Sequence, residues 1–265
     1  MQKLIISQLN VKQKIFPETE FRGIKKKIQK YIQNNRNIKS LIIGISGGQD
    51  STLTAKICQS AISEIRKKKS SSVFLIALRM PFGKQIDEKD CEKAINFINP
   101  DKIIKIDIKS IVENTISVLK KKNIPINEKI KGNLKSRERA KIEYLISNIY
   151  SGIVVGTLNA CELVTGYFTK YGDNAVDINP IIHLNKRQGK KILQYLKCPE
   201  ILYKKTPMSG LEDSFPFVSD EKAIGISYKN IDRYLEGKKI KKEYEKIIEN
   251  LYLYSLHKRN VVFKI

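Results

Sequence analysis

The chain has 265 residues, 41% of them hydrophobic, which is enough to bury a sizeable core. Lysine and arginine total 50 against 27 acidic residues, and the resulting net charge of +23 excludes an acidic disordered chain. No apolar run approaches the roughly 18–20 residues of a membrane span, and the short patch Leu4-Ile5-Ile6 is too small for a secretory signal, so we expect a cytoplasmic protein without a membrane partner.

The basic residues are mostly lysines. Nine of the 50 are arginines and 41 are lysines, scattered among many Ile and Asn residues. A protein that reads nucleic-acid bases favours arginine and concentrates its charge on one face. We therefore expect no nucleic-acid partner.

Cysteine and histidine usage excludes several kinds of site. The four cysteines, Cys58, Cys91, Cys161 and Cys198, are far apart and form no C-x-x-C pair. This pattern favours small buried side chains in a reducing compartment over a zinc site or a disulfide framework. Only two histidines are present, His183 and His257, which leaves little for a Ser-His-Asp hydrolase.

The hydrophobic periodicity alternates in type along the chain. Short apolar runs predict buried strands at residues 40–45, 73–80, 103–108 and 153–156. Helical spacing predicts helices over about 19–34, 49–67, 87–98, 111–121, 133–150 and 241–257. This alternation predicts an α/β fold, with a parallel sheet flanked by helices on both faces, in one domain covering residues 1–265. Residues 204–220 are aperiodic and contain Pro and Ser, so we expect a flexible lid loop there.

The segment Gly44-Ile45-Ser46-Gly47-Gly48-Gln49-Asp50-Ser51-Thr52 follows the first predicted strand and begins a helix. Paired glycines let the backbone approach a ligand closely, and a helix N-terminus offers free N–H donors to phosphate. Three hydroxyls add donors, and Asp50 places a carboxylate where Mg²⁺ bridging phosphates could bind. The Gly-Lys-Ser/Thr ending of a Walker A loop is absent. A capped helix start alone would not bring these groups together, so the segment predicts a phosphate site.

The Ser-Gly-Gly-x-Asp-Ser pattern resembles the pyrophosphate-binding loop of the N-type ATP pyrophosphatases, which cleave ATP between its α and β phosphates. The resemblance is most specific to the ammonia-dependent NAD⁺ synthetase family and extends over nearly the whole chain. Its blocks are residues 79–85, 131–139, 154–162, 166–173, 177–180, 185–189, 234–237 and 257–259. The resemblance implies a Rossmann-like fold of the adenine nucleotide alpha hydrolase type, and a homodimer.

The resemblance also implies the reaction deamido-NAD⁺ + ATP + NH₃ → NAD⁺ + AMP + pyrophosphate, with ATP, deamido-NAD⁺ and ammonia as partners. Oxide is a very poor leaving group, so the nicotinate carboxylate is first adenylated, and AMP then leaves. A glutamine-dependent enzyme needs an appended amidase domain, for which 265 residues leave no room. Free ammonia or an unlinked donor is therefore the expected nitrogen source.

Roles for individual residues follow from the resemblance. ATP binding falls to Gly44, Ile45, Ser46, Gly47, Gly48, Gln49, Asp50 and Ser51, with Arg79, Gln85, Thr157 and Lys186. Mg²⁺, the expected cofactor, is assigned to Asp50 and Glu162. Deamido-NAD⁺ binding falls to Arg137, Lys170, Asp177, His257 and Lys258. Asp50 and Asp173 are the candidate catalytic residues, Asp173 for orienting or deprotonating ammonium.

Each of these residues also has a plainer interpretation. Glu162 could complement a helix dipole, Lys170 and Lys186 could be solvated, and His257 could cap a helix. The chain also departs from the family pattern at Leu158-Asn159, at Met208 and at residues 174–175. Two alternatives therefore stay open: a tRNA-modifying ATP pyrophosphatase, and a nucleotide-binding relative without catalysis.

Overall fold

Four parallel strands form the sheet at the centre of the fold. The structure is a computed structural model that describes residues 1–68, 72–84, 88–205 and 219–260. Within those ranges the strands are β1 Ser40–Gly44, β2 Phe74–Arg79, β3 Lys102–Lys105 and β4 Gly152–Val154. Their order is β3-β2-β1-β4, and all neighbours are parallel. The predicted α/β fold is confirmed, with a strand order typical of Rossmann-like proteins.

Thirteen helices accompany the sheet in the described residues. They are α1 Gln2–Leu9, α2 Pro17–Asn34, α3 Gln49–Lys68, α4 Glu88–Ile98, α5 Lys109–Lys120, α6 Glu128–Ile149, α7 Ala160–Thr165, α8 Lys186–Tyr195, α9 Glu200–Lys204, α10 Asp220–Ile224, α11 Tyr228–Leu235, α12 Lys242–Tyr254 and α13 Leu256–Arg259. No helix in the described ranges has both the length and the apolar character required to cross a bilayer.

The two faces of the sheet bury different side chains because successive residues of a strand point to opposite sides. Leu41 and Ile43 of β1 belong to the apolar cluster that contains the buried faces of α2, α3 and α8. Ile42 lies on the other face, with Val112 of α5 and Ile142 of α6. Both faces are thus covered by helices, as the near-continuous apolar strands predict.

A second part of the molecule is built only from helices. Helices α1, α7, α11 and α12 bury a separate apolar cluster around Ile5, Val164, Ile231 and Ile248. Helix α7 follows β4 along the chain, and α11 contacts both α7 and α8. The loops at the β4 edge of the sheet are therefore bordered by a second core.

Most predicted elements match within two residues, but the third strand and α6 differ by three or more residues at one end. The third strand stops at Lys105 instead of residue 108, although the N–H groups of Ile106 and Ile108 still bind the carbonyls of Arg79 and Pro81, both at 2.9 Å. Helix α6 begins five residues before the predicted residue 133, because Asn127 caps it by accepting the N–H of Ile130 at 2.9 Å.

The single helix predicted over residues 241–257 is wrong. Helix α12 ends at Tyr254 and α13 begins at Leu256. Ser255, at the break, donates its hydroxyl to the Leu251 carbonyl at 2.6 Å and accepts the Arg259 guanidinium at 2.7 Å. Gly166 packs against it so closely that an added Cβ would lie 2.1 Å from the Ser255 Cβ. The contact joins residues that are far apart in the sequence, so the apolar periodicity of residues 241–257 could not predict the break.

Candidate active site

The candidate site lies at the carboxyl edge of the sheet, between β1 and β4. Crossovers from β1 build the sheet in one direction through β2 and β3, whereas β4 lies on the other side of β1. Ligands bind in α/β sheets at such a switch point, in the loops that follow the strands. The phosphate segment follows β1, Arg79 ends β2, and Thr157 follows β4. The fold therefore brings the predicted nucleotide residues to one edge.

Hydrogen bonds of its own hydroxyls and a left-handed glycine shape the loop after β1. Gly47 has φ +78°, and a Cβ there would lie 2.9 Å from the Cys91 backbone nitrogen at the start of α4. The Ser46 and Ser51 hydroxyls are 3.1 Å apart, and the Gly48 N–H donates to Ser46 Oγ at 3.2 Å. Ile45 is buried and donates its N–H to Leu78 at 2.8 Å, so it extends the sheet.

One lysine joins the two predicted metal ligands. The Lys186 ammonium, at the first turn of α8, lies 2.5 Å from Asp50 Oδ2 on α3 and 3.0 Å from Glu162 Oε1 on α7. All three side chains are at most 15% exposed. Lys186 is thus a buried member of an ion cluster, and the interpretation of it as a solvated surface lysine is wrong. Gln49 supports it by donating to the Lys186 carbonyl at 2.9 Å.

Burial and mutual charge set the ionisation of this cluster. Burial alone would lower the pKa of Lys186, but the Asp50 and Glu162 carboxylates raise it well above its usual range. Burial, reinforced by the charge of Asp50, raises the pKa of Glu162 although Lys186 opposes the change. Lys186 is accordingly a cation at neutral pH.

Asn159 fixes Glu162 by a reciprocal cap. The Asn159 side chain accepts the N–H groups of Cys161 and Glu162 at 2.8 and 3.2 Å, while Glu162 Oε2 accepts the Asn159 N–H at 3.2 Å. This capping box leaves Glu162 Oε1 for Lys186. The departure from the family at Leu158-Asn159 therefore preserves the helix start that orients Glu162.

Arg79 presents an unsatisfied donor at the end of β2. The residue is 7% exposed, and Nη2 lies 2.6 Å from Glu88. In the described part of the chain its buried Nε has no hydrogen-bond partner. A buried donor without a partner is costly and fits a site that a ligand completes. Gln85, Met208 and most of the predicted lid (residues 206–218) lie outside the described residues.

The predicted acceptor residues surround the segment that follows β4. Arg137 on α6 donates through Nε to the Lys170 carbonyl at 3.2 Å, and the Lys170 ammonium lies 5.2 Å from the Tyr171 ring centre. The Lys258 ammonium donates to the carbonyls of Gly166 and Phe168, both at 2.9 Å. His257 is exposed on α13 beside Lys258. The structure brings together all but His257 through direct contacts with this segment.

Two predicted carboxylates bind the backbone around this segment. Asp173 accepts the Thr169 N–H at 2.8 Å and the Ser136 hydroxyl at 2.9 Å. Asp177 accepts the Val154 N–H at 2.7 Å and lies 3.4 Å from the Tyr144 hydroxyl. Asp173 reaches solvent at its surface, yet the protein around its carboxylate desolvates it enough to raise its pKa. Both residues therefore bind the backbone that shapes this segment.

Glu143 was missed by the sequence analysis. It lies on α6, and its Oε1 comes so near the phosphate loop that a Cβ on Gly44 would be 2.6 Å away. Burial raises the pKa of Glu143 to about 8, although Arg139 opposes the shift. Arg139 precedes it by one helical turn and donates to the Met80 carbonyl at 3.0 Å. The i, i+4 pair of opposite charges was the available signal.

The donor set at Asp50 and Glu162 suits a hard cation. Mg²⁺ takes oxygen ligands and is usually held by one or two carboxylates together with substrate phosphates and water. Among the described residues no group of three or more His, Cys, Asp or Glu side chains could hold a metal ion. Asp50 and Glu162 alone are too few ligands for a metal site made by the protein. They fit a Mg²⁺ ion whose remaining ligands are substrate phosphates and water.

Comparison with known proteins assigns the family. A sequence model described as NAD synthase matches residues 20–262. The chain belongs to the NAD synthase family. It is 54% identical over 263 residues to a protein named NH(3)-dependent NAD(+) synthetase from Buchnera aphidicola subsp. Schizaphis graminum (strain Sg), covering 99% of this chain and 98% of that protein.

Solved structures of the NAD synthase fold agree. An NAD+ synthetase from Burkholderia pseudomallei matches with a TM-score of 0.83 and 27% identity, covering 98% of this chain and 96% of its own. A structure named NMN synthetase from Francisella tularensis matches with a TM-score of 0.84 and 28% identity, covering 95% of this chain and 99% of its own. The fold of this NAD synthase family member is thus shared over nearly its whole length.

Proposed function

We propose that this NAD synthase family member is an ammonia-dependent NAD⁺ synthetase, which uses ATP to amidate deamido-NAD⁺ and releases AMP and pyrophosphate. The observation that carries the proposal is 54% identity over 99% of the chain to a relative of that name. The ion cluster of Asp50, Lys186 and Glu162 beside a glycine-rich loop supports it, because the first step must stabilise charge on a triphosphate.

The proposed reaction has two steps. An oxygen of the nicotinate carboxylate attacks the α-phosphorus, the bond to the β-phosphate oxygen breaks, and pyrophosphate leaves. Ammonia then attacks the acyl carbon of the resulting acyl-adenylate, loses a proton, and AMP departs with the carboxylate oxygen. The protein needs no covalent intermediate, since orienting the reactants and offsetting phosphate charge supply the acceleration.

On the nucleotide side, the loop of residues 44–51 holds the phosphates and Lys186 neutralises their charge. Arg79, whose Nε has no partner among the described residues, binds the adenosine end together with Gln85, and Thr157 contacts a phosphate. The loop, Arg79 and Thr157 all lie at the carboxyl edge of the sheet. The loop binds through backbone N–H groups, which offer donors without adding mobile side chains.

We also propose that Asp50 and Glu162 hold Mg²⁺ when ATP is bound. When present, the ion would offset charge on the phosphates and pyrophosphate. The support is the oxygen donor set of two buried carboxylates that converge on one cation. The Lys186 ammonium lies between these carboxylates in this structure, so it would shift toward the phosphates when the ion binds.

On the acceptor side, Arg137, Lys170, Asp177, His257 and Lys258 bind deamido-NAD⁺. Asp173 orients ammonium and takes up its proton, and the raised pKa makes its carboxylate a stronger base than an ordinary aspartate. Cationic side chains on this side suit the dinucleotide phosphates, and the segment after β4 brings four of the five residues together.

A homodimer completes the proposal. Leu145 and Ile149 are 55% and 70% exposed, one helical turn apart on α6, and Val118 on α5 is 62% exposed. A second copy of the chain that covers this face would bury them near Arg137 on the same helix. Sedimentation of the active protein as a monomer would contradict this.

We place the activity in the cytoplasm. All four cysteines are free and buried, and no two of them are paired. Free cysteines are typical of a reducing compartment. This placement rests on the cysteines alone.

The test is to incubate the purified protein with ATP, Mg²⁺, ammonium and deamido-NAD⁺. We expect NAD⁺ and AMP in equal amounts. Nicotinate mononucleotide, offered in parallel, distinguishes this activity from that suggested by the name NMN synthetase. AMP release that requires added tRNA would favour a tRNA-modifying enzyme, and nucleotide binding without AMP would favour a non-catalytic relative.

A further inference from the structure

Lys186 needs an external support because a lysine side chain is long and flexible. It occupies the first position of α8, where backbone N–H groups lack helical partners. Asn185 before it caps the helix through a reciprocal bond with Gln188. This cap satisfies the N–H of Gln188, and the N–H groups of Lys186 and Arg187 remain to be bound from outside the helix.

Asp232 on α11 binds those two groups. Its Oδ1 accepts the Lys186 N–H at 3.1 Å, and its Oδ2 accepts the Arg187 N–H at 3.2 Å. The residue is 4% exposed. A carboxylate at a helix N-terminus also interacts favourably with the helix dipole. Asp232 thereby fixes the backbone of the residue whose ammonium lies between Asp50 and Glu162.

Glu236 caps the C-terminus of α11, one turn after Asp232, and binds both neighbours of Lys186. Its Oε1 accepts the Asn185 side-chain amide at 3.1 Å and lies 3.5 Å from Arg187 Nε. The residue is 7% exposed. The two carboxylates together bind three consecutive residues, with Lys186 in the middle.

Stability alone does not require this arrangement. Burial raises the pKa of Asp232 to about 6, and the nearby charge of Glu236 adds to the effect, while the Cys161 thiol and Arg187 oppose it. A desolvated carboxylate such as Asp232 is costly, and an apolar residue of similar size usually stabilises a core at least as well. Burial also opposes the ionisation of Glu236, but Lys238, Asn185 and Arg187 together lower its pKa. The common feature of Asp232 and Glu236 is contact with residues 185–187.

We infer that Asp232 and Glu236 are positioning residues that hold the first turn of α8 so that the Lys186 ammonium stays at the nucleotide phosphates. This inference rests on the proposed function for its kinetic readout. Neither carboxylate touches substrate, and both act through Lys186. Their contribution therefore disappears when Lys186 can no longer act.

The experiment compares D232N and E236Q with the matched control Y234F. Tyr234 lies between them on α11 and is fully buried, but its hydroxyl donates to Glu249 on α12 at 3.0 Å, away from α8. We expect D232N and E236Q each to lower kcat/KM for ATP by about tenfold or more. For Y234F we expect kcat/KM for ATP to stay within about twofold of wild type, even if its melting temperature falls as much as that of D232N or E236Q.

The decisive readout is a double-mutant cycle with K186M. In the K186M background, D232N should change ATP affinity and residual kcat/KM by less than about twofold, because the group that it positions is gone. The same tenfold loss in both backgrounds would overturn the inference, as would wild-type kinetics for both D232N and E236Q. If D232N fails to fold, E236Q carries the cycle.

Failure of the inference and failure of the proposed function are distinguishable. NAD⁺ formation by the wild-type protein tests the function and is measured first. If no NAD⁺ forms, the cycle is still measured through the affinity for ATP with Mg²⁺, because Lys186 binds phosphate in either case. A wild type that makes NAD⁺, combined with an additive cycle, would reject only the positioning role.

Discussion

The nucleotide side and the acceptor side of the candidate site use charge differently. On the nucleotide side, Asp50, Lys186 and Glu162 come from three helices and pair with one another. On the acceptor side, Asp173 and Lys258 bond mainly to the backbone of the segment that follows β4. Charges paired within a site are preorganised for a ligand, whereas charges bonded to backbone also hold their segment in shape. A variant on the nucleotide side should therefore lose mainly activity, whereas a variant of a backbone-bound residue on the acceptor side should also lose stability.

The largest effect should come from Asp50→Ala. The carboxylate faces Lys186 and the phosphate loop, so we expect turnover to fall at least about 100-fold. The fold should persist, because Lys186 keeps its contact with Glu162 at 3.0 Å. Steady-state kinetics and thermal melting on one preparation measure both quantities.

Asp101→Ala is the matched control for Asp50→Ala. Asp101 binds Arg66 at 2.7 Å and the Leu75 N–H at 2.8 Å, near the amino end of β2 and remote from the phosphate loop. This variant should lose stability and keep kcat/KM. Wild-type turnover by Asp50→Ala would remove the basis for the nucleotide side.

Gly47→Ala tests the phosphate loop by backbone shape alone. Gly47 and Gly225 both have positive φ, +78° and +82°. An added Cβ on Gly47 would lie 2.9 Å from the Cys91 nitrogen, whereas an added Cβ on Gly225 would meet no atom within 4 Å apart from its chain neighbours. Both variants should lose about 1 kcal/mol from the backbone conformation. Only Gly47→Ala should also raise KM for ATP, by about tenfold, because the loop must shift. Equal effects of the two variants on KM would show that the loop's close approach is unimportant.

The sheet and two of its flanking helices, α2 and α3, were predictable from local pattern. Helices α2 and α3 and strands β1 and β2 match within about two residues, because each buries a continuous apolar stripe or run. The phosphate segment was predictable for a related reason: a strand, two glycines and a helix start are adjacent in sequence.

The helical part was harder to predict because long-range contacts determine it. Helices α8 and α11 are short, and the first turn of α8 is bound by Asp232 and Glu236, whose burial no local pattern reveals. Gly166 packs against Ser255 at the helix break, and the Glu143 carboxylate packs against Gly44. The sequence predicted a set of nucleotide-binding residues, but it did not reveal that Asp232 and Glu236 bind the backbone and neighbours of Lys186.

Arg137→Ala tests the acceptor side. The guanidinium is exposed, and within the described residues it makes one hydrogen bond, to the Lys170 carbonyl at 3.2 Å, so stability should change little. We expect KM for deamido-NAD⁺ to rise about tenfold while KM for ATP stays constant. Lys258→Met is the comparison, because its ammonium donates to two carbonyls and its loss should lower the melting temperature as well. A rise in KM for ATP with Arg137→Ala would mean that the two sides are not separate.

The smallest effect concerns a pair that supports the nucleotide side from outside the site. Glu20 on α2 binds His183 at 2.8 Å and Lys12 at 2.7 Å, and His183 lies in the connection that leads into α8. These partners lower the pKa of Glu20 to about 2, led by the hydrogen bond from His183, although burial opposes the shift. Because this pKa is depressed in the folded state, its stabilisation is present above the unfolded value near 4.3 and is lost as pH falls toward 2.

Glu20→Gln should therefore lower the free energy of unfolding by about 1–2 kcal/mol at pH 7, less than the shift alone implies because solvent screens part of the interaction. The difference from wild type should shrink as pH falls from 5 to about 2, since the wild-type carboxylate is then protonated as well. Urea unfolding at several pH values measures it, with Glu18→Gln as control, since Glu18 forms an exposed pair with Arg22. A difference that stays constant with pH would mean that Glu20 acts through packing, and α8 would then owe its position to the contacts at its own first turn.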